Sequence, residues 1–234
     1  DISQGCLSNY KHLITRRSKN EPMAYILEEK EFWSKFFYVS ADTLIPRPET
    51  ELIVEKLVKI FKEKKVSILD MGTGSGCILI SLLIELSNSK GVGIDISKNA
   101  LAIAKKNLVR HGMEGKIKLL NKSLESKFYQ KFDIIVSNPP YIRSNELKNL
   151  EDDVKKHEPR IALDGGNDGL DLIKKVIYKT KYILKVKGML ALEIGNEQHK
   201  KDSEILIKKN FKIGQIIKDY KDNVRCIIST YIGK

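Results

Sequence analysis

Ser67-Ile68-Leu69-Asp70-Met71-Gly72-Thr73-Gly74-Ser75-Gly76 decides the reading of this chain. Strand-forming apolar residues run into an acid, three glycines follow at alternate positions, and an apolar run begins at Cys77. Glycine lets the backbone turn tightly and approach a ligand without a Cβ in the way, so this is a strand–turn–helix unit with a ligand-facing turn. Taken alone it could be any strand-to-helix turn. The next strand-like run strengthens it. Gly93-Ile94-Asp95-Ile96 sets Asp95 at a strand end, 19 residues after Gly76, where doubly wound folds place an acid on ribose hydroxyls. The glycine spacing departs from the dinucleotide pattern G-x-G-x-x-G, and favours a nucleoside joined to an amino acid, as in S-adenosylmethionine. Gly72, Thr73, Gly74, Ser75, Gly76 and Asp95 are the candidate cofactor residues.

Working outward, strand-like runs are expected at Val66–Met71, Gly91–Ile96, Ile117–Leu120, Phe132–Ser137, Gly188–Ile194, Phe211–Lys218 and Val224–Tyr231. Helical patterns occupy Gly76–Ser87, Asn99–His111, Leu170–Lys185 and His199–Lys209. Strands alternating with helices call for a mostly parallel sheet covered on both faces. The last two strands are separated only by a turn at Asp219–Asn223, a connection that only antiparallel strands can make. The expected fold is therefore α/β: a doubly wound, Rossmann-like, seven-stranded sheet closed by an antiparallel hairpin, the class I methyltransferase arrangement. Before it, Asp1 to about Ser34 reads as helix, polar loop (Arg16 to Pro22) and a further helical or turn segment. Glu31–Leu44 is rich in aromatic and β-branched residues and reads as a small hairpin. Ile45-Pro46-Arg47-Pro48-Glu49-Thr50-Glu51 reads as a helix start, with acids at the positive end of the helix dipole, and the helix runs on through Lys65.

Composition narrows the setting. At 41% hydrophobic and 31% charged residues the 234-residue chain can bury a core, which argues against disorder. Its longest apolar stretch, Gly76 to Leu86, is too short to span a bilayer. Cys6, Cys77 and Cys226 are odd in number and widely spaced, so neither a disulfide framework nor a zinc site is expected and a reducing cytoplasm is. The net charge is +12, yet only seven of the 42 basic residues are Arg. Lysine dispersed over amphipathic helices reads as solvated surface before it reads as a polyanion-binding face.

The second chemical signal is Val136-Ser137-Asn138-Pro139-Pro140-Tyr141, directly after a strand. Asn138 offers an amide oxygen, Pro139 a carbonyl without an N–H, and the two prolines stiffen the turn. Two fixed acceptors can grip the two hydrogens of a planar –NH₂ group, and Tyr141 offers a ring for the flat group to stack on. Such a nitrogen is a poor nucleophile because its lone pair is delocalised. A site of this kind works by alignment and electrostatics.

At this point the sequence resembles a known family. NPPY occurs in amino-methyltransferases acting on DNA and on protein, so an N6-adenine or N4-cytosine nucleic-acid methyltransferase is the alternative reading. The narrower resemblance is to the glutamine-N5 methyltransferases of peptide-chain release factors, the HemK/PrmC type. It rests on Glu21-Pro22 with Tyr25, Glu31-Phe32-Trp33, Leu44 to Glu51, Asp70 to Gly76, Asn138 to Ile142, Glu158-Pro159 with Ala162-Leu163, Gly165-Gly166 with Asp168-Gly169-Leu170, and Glu193-Ile194-Gly195 with Gln198. The resemblance implies methyl transfer from S-adenosylmethionine, without a metal, to the glutamine of the Gly-Gly-Gln motif of class 1 release factors, in the cytoplasm. S-adenosylhomocysteine is the product; neither a nucleic-acid substrate nor a membrane is implied. It places substrate and catalysis on Asn138, Pro139, Pro140 and Tyr141, with Asn138 also touching the cofactor. Where relatives often carry an acid and an adjacent aromatic near the adenine, this chain has Lys122 and Ser123, and Ser123 is the expected contact. The resemblance also implies that residues 1–45 are the end of a helical substrate-binding domain with its linking hairpin, and that residues 46–234 are the methyltransferase domain. Arg47, Glu49 and Glu51 either only start a helix or line the cofactor's amino-acid end. Glu193 either faces the site or caps a loop.

Overall fold

The computed structural model describes residues 3–233. The helical reading of the N-terminal end therefore applies from Ser3, and Asp1 and Ile2 lie outside the described residues. Helix α1 (Gln4–Ser18) is capped by Ser3, whose hydroxyl accepts from the Cys6 N–H, and α2 (Met23–Ile26) is a single turn begun by Pro22. The polar segment expected as a loop from Arg16 is thus helical to Ser18. There Asn20 takes a positive φ and the chain reverses. Arg16 and Glu21 pair across that reversal.

The hairpin is β1 (Glu29–Phe32) and β2 (Lys35–Tyr38), shorter than expected and shifted two residues toward the N-terminus. Its turn residues Trp33 and Ser34 have φ of 53° and 54°, the doubly left-handed turn that matches strand twist. Val39–Leu44 leaves the hairpin as irregular chain, held by Thr43 N–H to the Ser40 carbonyl at 2.9 Å. Phe32 and Phe37 are fully buried and belong to the core under the main sheet.

That sheet has seven strands: β3 (Ser67–Met71), β4 (Lys90–Asp95), β5 (Ile117–Asn121), β6 (Phe132–Ser137), β7 (Leu184–Glu193), β8 (Phe211–Lys218) and β9 (Val224–Tyr231). Their spatial order is β5-β4-β3-β6-β7-β9-β8. The first five are mutually parallel; β9 runs antiparallel to both β7 and β8. This is the class I methyltransferase arrangement expected from the sequence. The order reverses between β3 and β6: from β3 the chain adds β4 and β5 on one side, and from β6 it adds β7 on the other. In open α/β sheets a ligand crevice opens at such a point, beyond the carboxyl ends of the strands.

Two apolar layers cover the sheet. One face carries α3 (Glu51–Phe61), α4 (Cys77–Glu85) and α5 (Lys98–Arg110); the other carries α7 (Asp171–Ile183) and α8 (His199–Lys208). Cys77 through Leu83 are all buried, because α4 is wedged between the sheet and α3. Helix α3 stops at Phe61, not Lys65: Lys62 is extended and Glu63 turns left-handed. Strand β7 begins four residues early, at Leu184, because Leu184 pairs with Phe132 ahead of a register shift near Gly188. Helix α6 (Asp152–His157) was not evident from periodicity: six residues are too few to show one. Among the described residues no helix is long and apolar enough to cross a membrane.

Candidate active site

Every strand bordering the switch point delivers a piece of one cavity of about 690 Å³. From β3 comes the glycine turn, where Gly72, Gly74 and Gly76 all have positive φ, between 54° and 82°. Cβ atoms added to Gly72 or Gly74 would meet no neighbour within 4 Å. The turn needs glycine for its backbone angles, and its outer side is open for a ligand to lie against. Two N–H groups, of Gly72 and Thr73, share the Ile94 carbonyl at 2.9 Å, which ties the turn to β4.

Asp95, ending β4, works on the same turn. Its Oδ2 accepts from the Gly74 N–H at 3.0 Å and its Oδ1 from the Ser97 N–H at 2.9 Å. Each oxygen keeps a further lone pair, and the side chain lines the cavity. Beneath the turn, Asp70 is fully buried and accepts from the Thr73 hydroxyl at 2.7 Å. Burial pushes its pKa up to about 7, against the opposing effect of that hydrogen bond. Asn107 of α5, also fully buried, donates from Nδ2 to the carbonyls of Ser75 and Tyr38 and accepts from the Tyr38 N–H at 2.7 Å. It joins the edge of β2 to the glycine turn.

From β6 come Ser137, Asn138, Pro139 and Pro140, all on the cavity wall. Among the described residues no donor is bonded to Asn138 Oδ1 or to the Pro139 carbonyl, while Asn138 Nδ2 donates to Thr50 Oγ1 at 3.4 Å. The acceptors that the sequence marked are therefore free. The third wall is the irregular chain after β2. Asp42, Thr43, Leu44, Pro46, Arg47 and Thr50 line it, and Arg47 pairs with the buried Glu158, which also accepts from the Ile45 N–H at 3.2 Å. Pro159 to Ala162 follow Glu158 onto the far wall.

Some expected residues stand elsewhere. Tyr141 does not line the cavity. Its ring packs on the core of the α7/α8 face, its hydroxyl points to Glu193 Oε1 at 3.4 Å, and its carbonyl accepts from Gln198 Nε2 at 3.0 Å. The stacking face expected from the sequence is absent from the wall, and the residue anchors the loop instead. Burial raises the Tyr141 pKa above its ordinary value, and the nearby Glu193 carboxylate adds to the rise. Ser123 also falls off the wall: its hydroxyl faces Ser126, and its neighbours Lys122 and Leu124 line the cavity instead. Gly76 caps α4 from behind the turn, its Cβ direction blocked by Ile80 and Ala104. Of the undecided acids, Glu51 accepts from the Trp33 N–H and steadies the hairpin. Glu193 is fully buried and bonds to Thr50. Arg47 reaches the cavity; Glu49 and Glu51 do not.

Similarity to known proteins agrees with this geometry. A family model described as methyltransferase small domain matches residues 48–156. A release factor glutamine methyltransferase of Agrobacterium fabrum is 38% identical over 92% of this chain and 76% of its own length. Another, of Buchnera aphidicola, is 42% identical over 95% of this chain and 80% of its own. The chain belongs to the release factor glutamine methyltransferase family. Among solved structures, a methyltransferase from Pyrococcus furiosus superposes with a TM-score of 0.63 at 18% identity, covering 97% of this chain and 100% of its own, a likeness of fold. Membership in the family makes this chain a methyltransferase enzyme.

In this release factor glutamine methyltransferase the cavity wall also takes in Asp42, Thr43, Leu44, Thr50 and Lys122, to none of which the sequence alone assigns a role. Thr50 sits inside the Pro-Glu-Thr-Glu run, where a threonine reads as part of a helix start. The only signal for it was its place in a stretch too unusual to be mere capping.

Proposed function

We propose that this chain transfers the methyl group of S-adenosylmethionine to the side-chain amide nitrogen of a glutamine, that of the Gly-Gly-Gln motif in class 1 release factors, and releases S-adenosylhomocysteine. The observation that carries the reading is the sharing of one cavity by the glycine turn with Asp95 and by the free acceptors of Asn138 and Pro139. The names of the curated relatives support the release factor as substrate. The residues fit the cofactor: the turn is open where a Cβ would stand, and Asp95 has lone pairs left for ribose hydroxyls. S-adenosylmethionine supplies an electrophilic methyl on a sulfonium. Lys122 and Leu124 border the nucleoside end, and Arg47 the opposite wall.

Asn138 Oδ1 and the Pro139 carbonyl each accept one hydrogen of the glutamine –NH₂, turning its nitrogen toward the methyl. Holding the reactants in line is where most of the acceleration arises. No general base is required, since the N-methylated, N-protonated amide is strongly acidic and gives its proton to these acceptors or to water. Residues 1–45 we assign to substrate holding, supported by the exposed apolar stripe Leu7, Tyr10 and Ile14 on α1.

The deciding experiment offers release factor, DNA and RNA side by side with methyl-labelled S-adenosylmethionine. Label is expected on release factor glutamine and to be indifferent to added nucleic acid. Label on nucleic acid alone would establish the NPPY-based alternative. A second expectation concerns Asp95. Asp95→Ala removes the acceptor of the Gly74 and Ser97 N–H groups together with the ribose contact, and should weaken cofactor binding by about 1–3 kcal/mol, the scale of hydrogen bonds to a charged group. Calorimetry with S-adenosylhomocysteine checks this, and an unchanged Kd would remove Asp95 from the site.

A further inference from the structure

Behind the Asn138 amide lies a line of hydrogen bonds that the transfer reaction does not itself call for. Asn138 Nδ2 donates to Thr50 Oγ1 at 3.4 Å. Thr50 Oγ1 stands 2.6 Å from Glu193 Oε2, and Tyr141 donates its hydroxyl to Glu193 Oε1 at 3.4 Å. Thr50 is 2% exposed and Glu193 also 2%. The four residues come from four places: the turn before α3, the end of β7, and two positions of the loop after β6.

A threonine hydroxyl has one proton and two lone pairs. With Glu193 ionised, that proton goes to the carboxylate, the stronger acceptor, at a distance typical of a charge-assisted bond. Thr50 Oγ1 is then left as an acceptor only. It can meet Asn138 through the amide –NH₂ and not through the amide oxygen. The amide is thereby held with Oδ1 turned away from Thr50, the orientation in which it can accept from a substrate –NH₂.

We infer that Thr50 and Glu193 are positioning residues that fix the rotameric sense of the Asn138 amide, so that its oxygen and not its nitrogen meets the target nitrogen. This rests on the glutamine-methylation reading above and deepens it. Reversed, the amide would present two donors to a substrate group that is itself a donor.

The polarity of the line depends on the charge of Glu193. Protonated, Glu193 donates to Thr50, and the Thr50 proton turns to the Asn138 oxygen, which favours the reversed amide. The groups facing Glu193 are Thr50 and Glu49 before α3, Tyr141 after β6, Arg225 and Cys226 on β9, and, more distantly, Cys77 on α4. Burial pushes the Glu193 pKa up to about 7, and Glu49 pushes the same way; Thr50, Tyr141 and Arg225 oppose it. The working orientation is therefore gained as pH rises through that value and lost below it.

The test measures glutamine methylation of a release factor, with cofactor binding and melting temperature, for the full chain and three variants. Thr50→Val deletes the hydroxyl at nearly constant shape. It is expected to lower kcat about 10- to 100-fold, the scale of misaligning a reacting group, with the KM for release factor and the Kd for S-adenosylhomocysteine within threefold. Thr50→Ser should restore most of kcat. Glu193→Gln keeps an acceptor for Thr50 that does not titrate, so it should work within about tenfold of the parent and lack the acid limb of the kcat–pH profile near 7. If Thr50→Val melts early, the pH profile of Glu193→Gln decides. An active parent with Thr50→Val at full kcat, or with the same acid limb in Glu193→Gln, overturns the positioning role alone. An inactive parent toward release factor overturns the functional reading and this inference with it.

Discussion

Asn138→Ala is expected to slow glutamine methylation by about 10²–10³-fold while leaving cofactor affinity and melting temperature close to those of the parent. The magnitude is that of deleting one preorganised hydrogen-bond partner at a reacting centre. The selectivity follows from the geometry. Asn138 Oδ1 is bonded to no donor among the described residues, so its loss leaves no protein donor stranded. Its Nδ2 makes only the long bond to Thr50, whose proton is already engaged by Glu193. The cofactor residues Gly72 to Ser75 follow β3, the neighbour of β6, and Asp95 ends β4; among the described residues none of them is bonded to the Asn138 side chain, so their placement does not depend on it. Asn138→Asp keeps an acceptor but loses the –NH₂ that Thr50 receives, and brings a second carboxylate up to a hydroxyl with one proton. Partial activity is expected, with tighter retention of a positively charged cofactor than of its neutral product. Single-turnover transfer separates these effects from product release. A rate for Asn138→Ala near that of the parent would reduce the two prolines and their neighbours to a turn.

What could be read from the sequence is what lies on contiguous backbone at strand ends. The glycine turn, Asp95 and Asn138–Pro140 are each a short run directly after an apolar strand, so their common placement at the carboxyl edge of a parallel sheet follows from topology alone. Tyr141 shows the limit. Its place in the run was legible, but whether its ring turns to the ligand or to the core was decided by Glu193 and Gln198, 52 and 57 residues away. Likewise Thr50 meets Glu193 across 143 residues and Arg47 meets Glu158 across 111. Neither pairing leaves a trace in periodicity, because it is specified by where two elements dock and not by either element's pattern. The hairpin was legible in kind and misplaced in extent, since Trp33 and Ser34 form a left-handed turn without glycine or asparagine, the residues by which such turns are recognised.

The glycines at 165, 166 and 169 were noted as a pattern and had no physical meaning until the loop after β6 was placed. A Cβ on Gly169 would lie 2.5 Å from the Tyr141 carbonyl oxygen and 2.6 Å from Gln198 Nε2, at a residue with φ of 73°. Gln198 at that spot bridges three segments: its Nε2 donates to the carbonyls of Tyr141 and Gly169, and its Oε1 accepts from the Gly195 N–H at 2.8 Å. Gly169→Ala therefore adds a left-handed backbone penalty of about 1–2 kcal/mol to the loss of the Gln198–Tyr141 bond, about 1 kcal/mol or more. A total of about 2–4 kcal/mol should lower the melting temperature by roughly 4–16 °C in a chain of this size. The relief available is to push the Tyr141 carbonyl away, and Tyr141 is three residues from Asn138. A displacement of that loop by a fraction of an ångström to an ångström should cost up to about 10²-fold in kcat. Gly112→Ala isolates the packing contribution. Gly112 has a similar φ of 64°, but its Cβ direction is open, so it carries the backbone penalty without the collision. It should melt roughly 2–8 °C early on the backbone penalty alone and transfer methyl at the parental rate. Equal melting temperatures and equal kcat for the two variants would mean that Gly169 matters for its backbone angle alone and that the loop bearing Asn138 is not braced from behind.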